Sequence, residues 1–359
     1  MTEDHKVCSK NSALAATQTT RARIVLGGVL AGAIAMAAPP LSAQEFYAGK
    51  SIDLIVANTT GGGYDQYARH IARHIGRHIG GQPAVIVKNM PGAGGGRAAN
   101  FLANVAPKDG MVLALLTREI GLAPLLTPNP ANFQFNAVEF NWIGSPQQDL
   151  GLLIVNSKSP AQSIEEMKLK PITMSGTGPG SGPTVFPLLL NEVLGTKIKV
   201  IPGYPGSPEA LLAMERGEVD GHASGGSSAS FRTRIDPMLR TGQMKVLMQL
   251  GMEKDPAYPN APLAFELIKN KSDQQFLELI FTPQFIGRPV VAPPGVPAER
   301  VTALQAAFDK TMKDSEYLAE AKAQNLDIQP VTGAQIAEVV RRVYALPPEL
   351  VERAQKLGK

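Results

Sequence analysis

The chain has 359 residues and a formal net charge of +4, from 35 basic and 31 acidic residues. This length allows one large or two medium domains, and the near balance of charge excludes the strongly basic footprint of a nucleic-acid-binding protein. The only cysteine, Cys8, excludes an internal disulfide framework.

The first 43 residues have the pattern of an export signal. Arg21 and Arg23 precede the apolar segment 24–38, and small residues end the region at Ser42-Ala43. Because this order is typical of a secretory signal peptide, we predict cleavage after Ala43. A membrane anchor is the alternative, but the segment is shorter than the about 20 apolar residues that a span needs. The leader carries four basic and two acidic residues, so its removal lowers the net charge from +4 to +2 and leaves no cysteine.

Two glycine-rich loops follow predicted strands near the start of the mature chain. The apolar run 52–57 predicts a strand, loop 1 (58–65, NTTGGGYD) follows it, and a helix is predicted over 66–79. A second apolar run, 84–87, leads into loop 2 (89–97, NMPGAGGGR) and another helix. Each loop would expose backbone N–H groups at a helix N-terminus, where an anion can bind. Glycine permits the positive φ angles and the close approach of a ligand that such a site needs.

Nucleotide-binding motifs are incomplete in this region. The dinucleotide pattern G-x-G-x-x-G begins at Gly92 and Gly94, but Arg97 stands in place of the third glycine. The Walker pattern has its Gly49-Lys50-Ser51 end, but Gln44 replaces its first glycine. A smaller anion, such as a carboxylate, is therefore favoured over a nucleotide.

The helix predicted over 66–79 contains a four-residue repeat, ARHI, ARHI and GRHI. The isoleucines form one apolar stripe at helical spacing. His70, His74 and His78 are spaced as metal ligands can be, but no neighbouring carboxylate or cysteine completes a ligand set and the H-E-x-x-H motif is absent. We therefore predict that these histidines lie on a solvated face and that the chain holds no metal.

Strands, glycine-rich loops and helices continue to alternate along the chain. This alternation predicts a doubly wound parallel sheet, with ligands at the carboxyl ends of its strands. Loop 3 (176–184) and loop 4 (202–207) give a second α/β unit its own glycine- and hydroxyl-rich turns. The other predicted segments are strand 112–116 leading to Thr117, strands 141–145 and 150–155, helix 161–168, strand 172–175, helix 184–194, strand 197–201, helix 208–216, strands 218–220 and 245–250, a linker at 253–262, strand 285–292 and helix 298–313.

An enzyme would need a nucleophile, a base or a metal. The motif G-x-S-x-G is absent, and the one histidine outside the leader and the helical repeat is His222. It is predicted in a loop just after strand 218–220, where it could act as a base or only form hydrogen bonds. No complete acid–base set can be assembled around it, so we predict no catalytic residue.

Several motifs resemble those of one family. The run V-x-N-x-P-G-A-G-G at 87–95, the glycine–aspartate run at 61–65, Asp109-Gly110 and segment 208–220 are similar to the solute-binding receptors of tripartite tricarboxylate transporters, also called Bug receptors. The resemblance covers essentially the whole mature chain in the right order. It implies a two-lobed α/β fold of the periplasmic-binding-protein type (type II, Venus-flytrap), in which the C-terminal part returns to the first lobe. It also implies a periplasmic monomer that passes a small organic carboxylate to membrane permease subunits, without a cofactor.

The chain departs from the usual pattern of this family in three loops. Thr59 and Thr60 stand where prolines or small residues are usual, and loop 3 has Thr184 where a histidine is usual. Loop 4 has Tyr204 and Gly206 but lacks the usual lysine between them. The general mode of carboxylate binding can survive these changes, whereas the identity of the ligand does not carry over.

The predictions for domains and ligand contacts follow from these patterns. We predict a signal peptide at 1–43, a first part of lobe 1 at 44–147, lobe 2 at 148–255, and a crossover and return to lobe 1 at 256–359. Asp65 is predicted to cap the first helix, or alternatively to contact the ligand. The predicted ligand-binding residues are Thr59, Thr60, Gly61, Gly62, Tyr64, Asp65, Gly92, Ala93, Gly94, Thr117, Thr177, Gly178, Gly180, Ser181, Tyr204, Gly206 and Ser207. The alternatives to a transport receptor are an exported ligand sensor for a signalling partner and a periplasmic α/β enzyme that uses His222.

Overall fold

The computed structural model describes residues 46–127, 132–178, 181–225 and 229–357. The predicted signal peptide and Gly180 lie outside these residues. Among the helices described, none has the length and apolar character needed to cross a membrane.

The elements of the described part are numbered in chain order. Its strands are β1 (Ser51–Val56), β2 (Ala84–Asn89), β3 (Val112–Leu115), β4 (Asn141–Ser145), β5 (Gly151–Asn156), β6 (Ile172–Ser175), β7 (Ile198–Ile201), β8 (Gly221–Gly225), β9 (Met244–Leu250), β10 (Val290–Ala292) and β11 (Val331–Thr332). Its α-helices are α1 (Gly63–Ile75), α2 (Gly96–Asn104), α3 (Ala123–Leu126), α4 (Ile164–Leu169), α5 (Gly182–Leu194), α6 (Ser207–Arg216), α7 (Ala229–Arg240), α8 (Ala264–Leu267), α9 (Lys271–Ile286), α10 (Ala298–Thr311), α11 (Ser315–Ala323), α12 (Gly333–Tyr344) and α13 (Pro348–Lys356).

The first sheet has the strand order β11-β4-β10-β3-β1-β2. Strand β1 pairs in parallel with β2 and β3, whereas β10 pairs antiparallel with β3 and β4. Strands β10 and β11 come from the C-terminal part of the chain and complete this sheet. Because β1, β2 and β3 are parallel, their carboxyl ends lie at one edge, where loop 1, loop 2 and Thr117 begin.

Helices cover both faces of the first sheet. Leu54 of β1 packs on one face with Ile71 of α1 and Phe308 of α10, and all three side chains are buried. The next residue, Ile55, points to the opposite face, where Leu102 of α2 contributes to a second cluster. Full burial of one such large side chain stabilises the fold by about 1.5–3 kcal/mol.

The second sheet has the strand order β7-β6-β8-β5-β9. Strand β6 is parallel to β7 and β8, and β5 is antiparallel to β8 and β9. Leu153 of β5 belongs to a core cluster that includes Phe186 of α5, while Leu152 faces a cluster that includes Met214 of α6. Loop 3 and loop 4 therefore leave the carboxyl ends of the neighbouring parallel strands β6 and β7.

Two connections join the sheets, one between β4 and β5 and the other between β9 and β10. The second connection includes α9, whose Leu279 lies in the core of the first lobe and whose Phe276 lies in the core of the second. Helix α13 packs on α9 through Leu350, which is also buried in the second core. This two-lobed α/β arrangement is the predicted fold class, whereas the predicted lobe boundaries at 147 and 255 stay predictions.

The prediction of a solvated histidine face on α1 is wrong. His70 and His74 are only 0% and 3% exposed, because helix α11 packs against the histidine side of α1. The His70 ring stacks on Tyr317 of α11 with 4.2 Å between ring centroids. Helix α11 lies about 240 residues further along the chain, so no local sequence pattern predicts this contact.

Two element boundaries also differ from the sequence predictions. His222 lies inside strand β8 and is fully buried, rather than in a loop, since β8 pairs with both β5 and β6. The segment predicted as strand 285–292 is divided: its first residues end α9, Gly287 turns the chain with φ 62°, and only Val290–Ala292 form a strand.

Candidate functional site

A cavity of about 630 Å³ lies between the two lobes. The first lobe contributes the turn after β3 and helix α3, and the second contributes loops 3 and 4 with the start of α5. Helix α9 and the C-terminal helix α13 supply a further wall. The lining residues are Arg118, Glu119, Leu122, Ala123, Leu126, Thr127, Thr177, Ser181, Gly182, Pro183, Val185, Phe186, Pro205, Gly206, Ser207, Leu279, Ile280, Pro283, Gln284, Ala354, Gln355 and Leu357.

The N-termini of two helices reach this cavity. Ser181 is the N-cap residue of α5 and Gly206 is the N-cap residue of α6, and both line the cavity. The helix dipole places partial positive charge at each of these ends. The Thr177 hydroxyl donates to Ser181 Oγ at 2.7 Å, and the Ser181 hydroxyl donates to the Gly178 carbonyl at 2.7 Å. This end of the cavity is therefore polar and suited to an anion.

Much of the cavity wall is apolar. Leu122 and Leu126 come from the first lobe, Phe186 from α5 and Leu279 from α9. The Phe186 ring is held edge-on against Phe281, with 5.5 Å between their centroids, and it is 2% exposed. A ligand in this cavity would therefore have both hydroxyl groups and hydrocarbon within reach.

Arg118 is the one cation among the residues lining this cavity. Its Nη1 donates to Asp149 in the connection between β4 and β5, and its Nε donates to Glu119 Oε1 at 3.0 Å. Burial disfavours the guanidinium charge, but the carboxylate of Asp149, with Tyr64 and Glu119, outweighs burial and raises the pKa of Arg118. The side chain is 34% exposed, so the charge is fixed in place yet accessible from the cavity.

Loop 1 is held by a buried carboxylate. Asp65 is 2% exposed, and its Oδ2 accepts from the Gly61 N–H and from Arg69 Nε, each at 2.9 Å. Its Oδ1 accepts from Asn89 Nδ2 at 2.9 Å, and the Thr60 hydroxyl reaches Asn89 Oδ1 at 3.2 Å. The bond from Arg69, together with those from Gly61 and Asn89, lowers the pKa of Asp65 to about 2. Asp65 thus positions loop 1 against the end of β2, and its own oxygens are already engaged.

Loop 2 has an unusual backbone. Ala93, Gly94 and Gly95 have φ angles of 48°, 60° and 98°, and Gly95 is the N-cap residue of α2. A Cβ on Gly95 would lie 2.8 Å from Thr117 Oγ1, so only glycine fits there. Thr117 in turn donates to the Gly94 carbonyl at 3.0 Å, which ties loop 2 to the end of β3.

Tyr64 joins loop 1 to the cavity wall. Its hydroxyl accepts from the Arg118 backbone N–H at 3.2 Å, and burial raises its pKa. The Arg288 guanidinium lies over the Tyr64 ring at 5.4 Å and over the Tyr67 ring at 4.5 Å. These contacts fix loop 1 relative to Arg118 although loop 1 does not itself line the cavity.

The structure divides the sequence-predicted residues into two groups. Those that line the cavity are Thr177, Ser181, Gly206 and Ser207. Those placed outside its lining are Thr59, Thr60, Gly61, Gly62, Tyr64, Asp65, Gly92, Ala93, Gly94, Thr117, Gly178 and Tyr204. The two lobe-1 loops nevertheless stand at the same sheet edge as Thr117, which directly precedes the cavity residue Arg118.

Most of the cavity wall has no signature in the sequence. Arg118 could have been found, because it follows Thr117 at the same strand end. Leu279, Gln284 and Leu357 come from α9 and the C-terminus, and no local motif marks them.

His222 is enclosed within the second lobe. Its Nδ1 lies 2.8 Å from Ser175 Oγ on β6, and burial lowers its pKa to about 4. In the described part of the chain its Nε2 has no hydrogen-bond partner, and His222 is not among the residues that line the cavity.

Comparisons with known proteins agree with this architecture. A UPF0065 protein of Cupriavidus necator is 26% identical over 339 residues, which is 89% of this chain and 93% of the relative. A TctC solute-binding protein from Polaromonas superposes with a TM-score of 0.67 at 21% identity, covering 86% of this chain and 99% of that one.

Two solved structures that resemble this fold contain carboxylates. MatC of Rhodopseudomonas palustris, with bound malate, has a TM-score of 0.50 at 22% identity, over 87% of this chain and 99% of that one. A second R. palustris protein, with adipate, has a TM-score of 0.54 at 20% identity, over 86% and 98%. At these identities the likeness shows the fold alone.

The family itself is shown by a match over residues 67–345 to the family described as "Tripartite tricarboxylate transporter family receptor". The match spans most of the chain and bears out the prediction of a binding protein rather than an enzyme. The chain belongs to the tripartite tricarboxylate transporter receptor family.

Proposed function

We propose that this protein is an exported receptor that binds a small organic carboxylate between its lobes and delivers it to a membrane transporter. The observation that carries the proposal is the pair of helix N-termini, at Ser181 and Gly206, that meet in one interlobe cavity. Their dipoles favour an anion, and on the opposite lobe the Arg118 guanidinium, which is paired with Asp149 and Glu119, is partly exposed in the cavity lining. The carboxylates malate and adipate in two structures of the same fold support this ligand class.

The ligand we infer is amphipathic. A volume of about 630 Å³ falls within the range of about 300–1,000 Å³ that is usual for small-molecule sites. Leu126, Ile280 and Leu357, which are only partly buried, give the cavity an apolar wall that a small hydroxy acid would leave unfilled. An acid with an aromatic ring or a longer aliphatic body matches both the polar end and this wall.

Binding would be completed by closure of the lobes. Arg118 is joined to Asp149, which lies in one of the two connections between the sheets, and α9 in the other connection lines the cavity. A rotation about these connections would bring loops 1 and 2, held at the same sheet edge as Arg118, towards loops 3 and 4. Hinge closure around a ligand is a known mode for two-lobed receptors.

The test is ligand binding by the mature protein, starting at residue 44, after unfolding and refolding to remove carried-over ligand. Thermal unfolding and calorimetry would be run against aliphatic dicarboxylates, longer monocarboxylates and aromatic acids. A ligand at 100 times its dissociation constant adds about 2.7 kcal/mol of stability. The primary amide of the best acid is the matched control, because it keeps the shape and removes the charge. Failure of every acid with folded protein, or equal binding of acid and amide, would refute the proposal.

Export and delivery form the second part of the proposal. The leader pattern at 1–43 supports export, and the family description supports a tripartite transporter as partner. Mass spectrometry of the protein from a periplasmic extract is expected to find Gln44 as the first residue. A chain that stays in the cytoplasm with its leader intact would contradict export.

A further inference from the structure

Three ionisable side chains meet where α1 packs on α11, away from the interlobe cavity. His70 and His74 stand one turn apart on α1, and Glu320 of α11 faces both. Glu320 Oε2 lies 3.8 Å from His70 Nδ1 and 2.5 Å from His74 Nε2. Both imidazoles are buried, whereas the Glu320 side chain is 34% exposed, so the cluster opens to solvent on one side.

The surroundings of His70 fix which nitrogen is free to bind a cation. Its Nε2 lies 3.0 Å from the Tyr317 carbonyl oxygen, which can only accept, so Nε2 carries the proton. Neutral His70 then has its lone pair on Nδ1, the nitrogen that faces Glu320. In metal sites the non-ligating N–H of a histidine almost always donates to a carbonyl or a carboxylate in this way.

The three ligand atoms are spaced closely enough for a metal ion. One potential ligand atom from each of His70, His74 and Glu320 lies within 4.8 Å of the other two. Zinc bonds of about 2.0–2.2 Å in a tetrahedral site correspond to ligand–ligand separations of about 3.3–3.6 Å. The separations of Glu320 Oε2 from the two histidines, 3.8 Å and 2.5 Å, bracket this range, so a small rotation of the Glu320 side chain would bring both of them into it.

The cluster already holds a cation of the protein itself. Arg73 Nη2 lies 3.2 Å from His70 Nδ1 and donates to Glu320 Oε1 at 2.6 Å. Arg77 donates to His74 Nδ1. These two arginine side chains are 46% and 37% exposed, so each can turn into solvent when another cation enters. Metal binding at His74 Nε2 also moves the proton of neutral His74 to Nδ1, which requires Arg77 to move away.

We propose that His70, His74 and Glu320 form a binding site for a divalent transition metal such as Zn²⁺, which would join α1 to α11. Two imidazoles and one carboxylate are a recurrent zinc ligand set, and a solvent molecule can supply the fourth position. Sequence reasoning rejected a metal here because no carboxylate stood near the histidines. Glu320 supplies that carboxylate from 246 residues further along the chain. Since α1 begins at loop 1, a metal at this point would also steady the helix that carries loop 1.

The test is metal titration of the mature protein, purified without a histidine tag and stripped with a chelator. Calorimetry with ZnCl₂ is expected to show one metal per chain, and Co²⁺ is expected to give the visible absorption of a four-coordinate site. Glu320→Gln and His74→Ala should weaken binding by more than about 10-fold, the least that loss of even an outer-shell partner usually costs. Glutamine has nearly the shape of glutamate, and position 320 is partly exposed, so Glu320→Gln should fold. This variant therefore tests the site even where a histidine variant fails to fold.

Two further variants separate a metal site from a simple ion-pair cluster. Arg73→Ala removes the competing cation and is expected to tighten metal binding while it breaks the ion pair with Glu320. Glu316→Gln distinguishes the proposed set from the neighbouring group of His74, Asp314 and Glu316, whose potential ligand atoms also lie within 4.8 Å of one another. Absence of binding in both the unmodified protein and Arg73→Ala would overturn the proposal. The proposal would also be overturned if Glu316→Gln lost metal binding while Glu320→Gln kept it.

Discussion

Replacing Asp65 by asparagine tests how the chain holds loop 1. The Asp65 carboxylate accepts three hydrogen bonds of 2.9 Å, from Gly61, Arg69 and Asn89, while being 2% exposed. Breaking a buried charge pair usually costs about 3–5 kcal/mol. Arg69 is 44% exposed and can be rehydrated, which lowers the expected loss to about 2–3 kcal/mol at pH 7.

The pH dependence gives a second measure of the same contact. Hydrogen bonding, chiefly from Arg69, lowers the pKa of Asp65 from 3.8 to about 2. A shift of this size corresponds to about 2 kcal/mol of stability, in line with the first figure. Because the folded-state pKa is lowered, this stability is fully present above about pH 4 and is lost as the pH falls towards about 2.

Urea unfolding of the unmodified protein and of Asp65→Asn, measured between pH 3 and pH 7, tests both the expected loss of stability at pH 7 and its dependence on pH. The difference in the free energy of unfolding should be constant from pH 5 to pH 7 and should shrink below about pH 4. Asp53→Asn is the control, because Asp53 also lies beside β2 but pairs with the exposed Lys88, a pair that contributes about 0–1 kcal/mol. A difference for Asp65→Asn no larger than that of the control, or one that grows at low pH, would refute the role given to Asp65.

Three further predictions concern the loops and the cavity. Gly95→Ala should cost about 2–5 kcal/mol in urea unfolding, because a positive φ costs about 1–2 kcal/mol and the added Cβ, 2.8 Å from a side chain, costs about 1–3 kcal/mol more. Gly61→Ala, with a similar φ and open space, should cost only about 1–2 kcal/mol, so equal losses would remove the steric reason. Arg118→Lys should weaken carboxylate binding in calorimetry by about 10-fold. A lysine cannot pair with Asp149 and Glu119 at the same time, as the guanidinium does, so its charge would not be fixed at the cavity. Arg216→Lys, at the far end of α6, should leave affinity unchanged, and equal effects would argue against a specific role for Arg118. Leu126→Ala should weaken acids with a long aliphatic or aromatic body more than short acids, because Leu126 lines the cavity and is only partly buried; a uniform loss would place the apolar contact elsewhere.

The parts of the fold that sequence predicts are those that local chemistry determines. Apolar runs such as 52–57 form strands, and the glycines after them make turns that residues with a Cβ cannot adopt without strain. Gly95 is an example, because its φ of 98° and the closeness of Thr117 both require glycine. Gly95 lies between β2 and α2, and Thr117 follows β3, the next strand along the chain. Element order and fold class follow from such units.

The parts that sequence does not predict depend on contacts between distant segments. The histidines of α1 were expected to face water because their repeat is polar, yet Tyr317 and Glu320 of α11 cover them. His222 was expected in a loop, yet strand β8 extends through it, because Gly221 is small enough to pack against Ile154. Local sequence patterns predict neither the packing of α11 on the histidines of α1 nor the pairing of β5 with the strand that contains His222.

The two lobes contribute differently to the site we propose. In lobe 1 the polar groups of loops 1 and 2 are largely engaged with one another, through Asp65 and Thr117, so these loops are rigid before any ligand arrives. In lobe 2 the ends of α5 and α6 face the cavity directly, with Ser181 and Gly206 in its lining. A ligand that shifts the lobes towards closure must bind the closed form more tightly than the open one. Because the lobe-1 loops are already ordered, closure costs less conformational entropy in those loops. A carboxylate that binds lobe 2 first would therefore still gain affinity when lobe 1 closes on it.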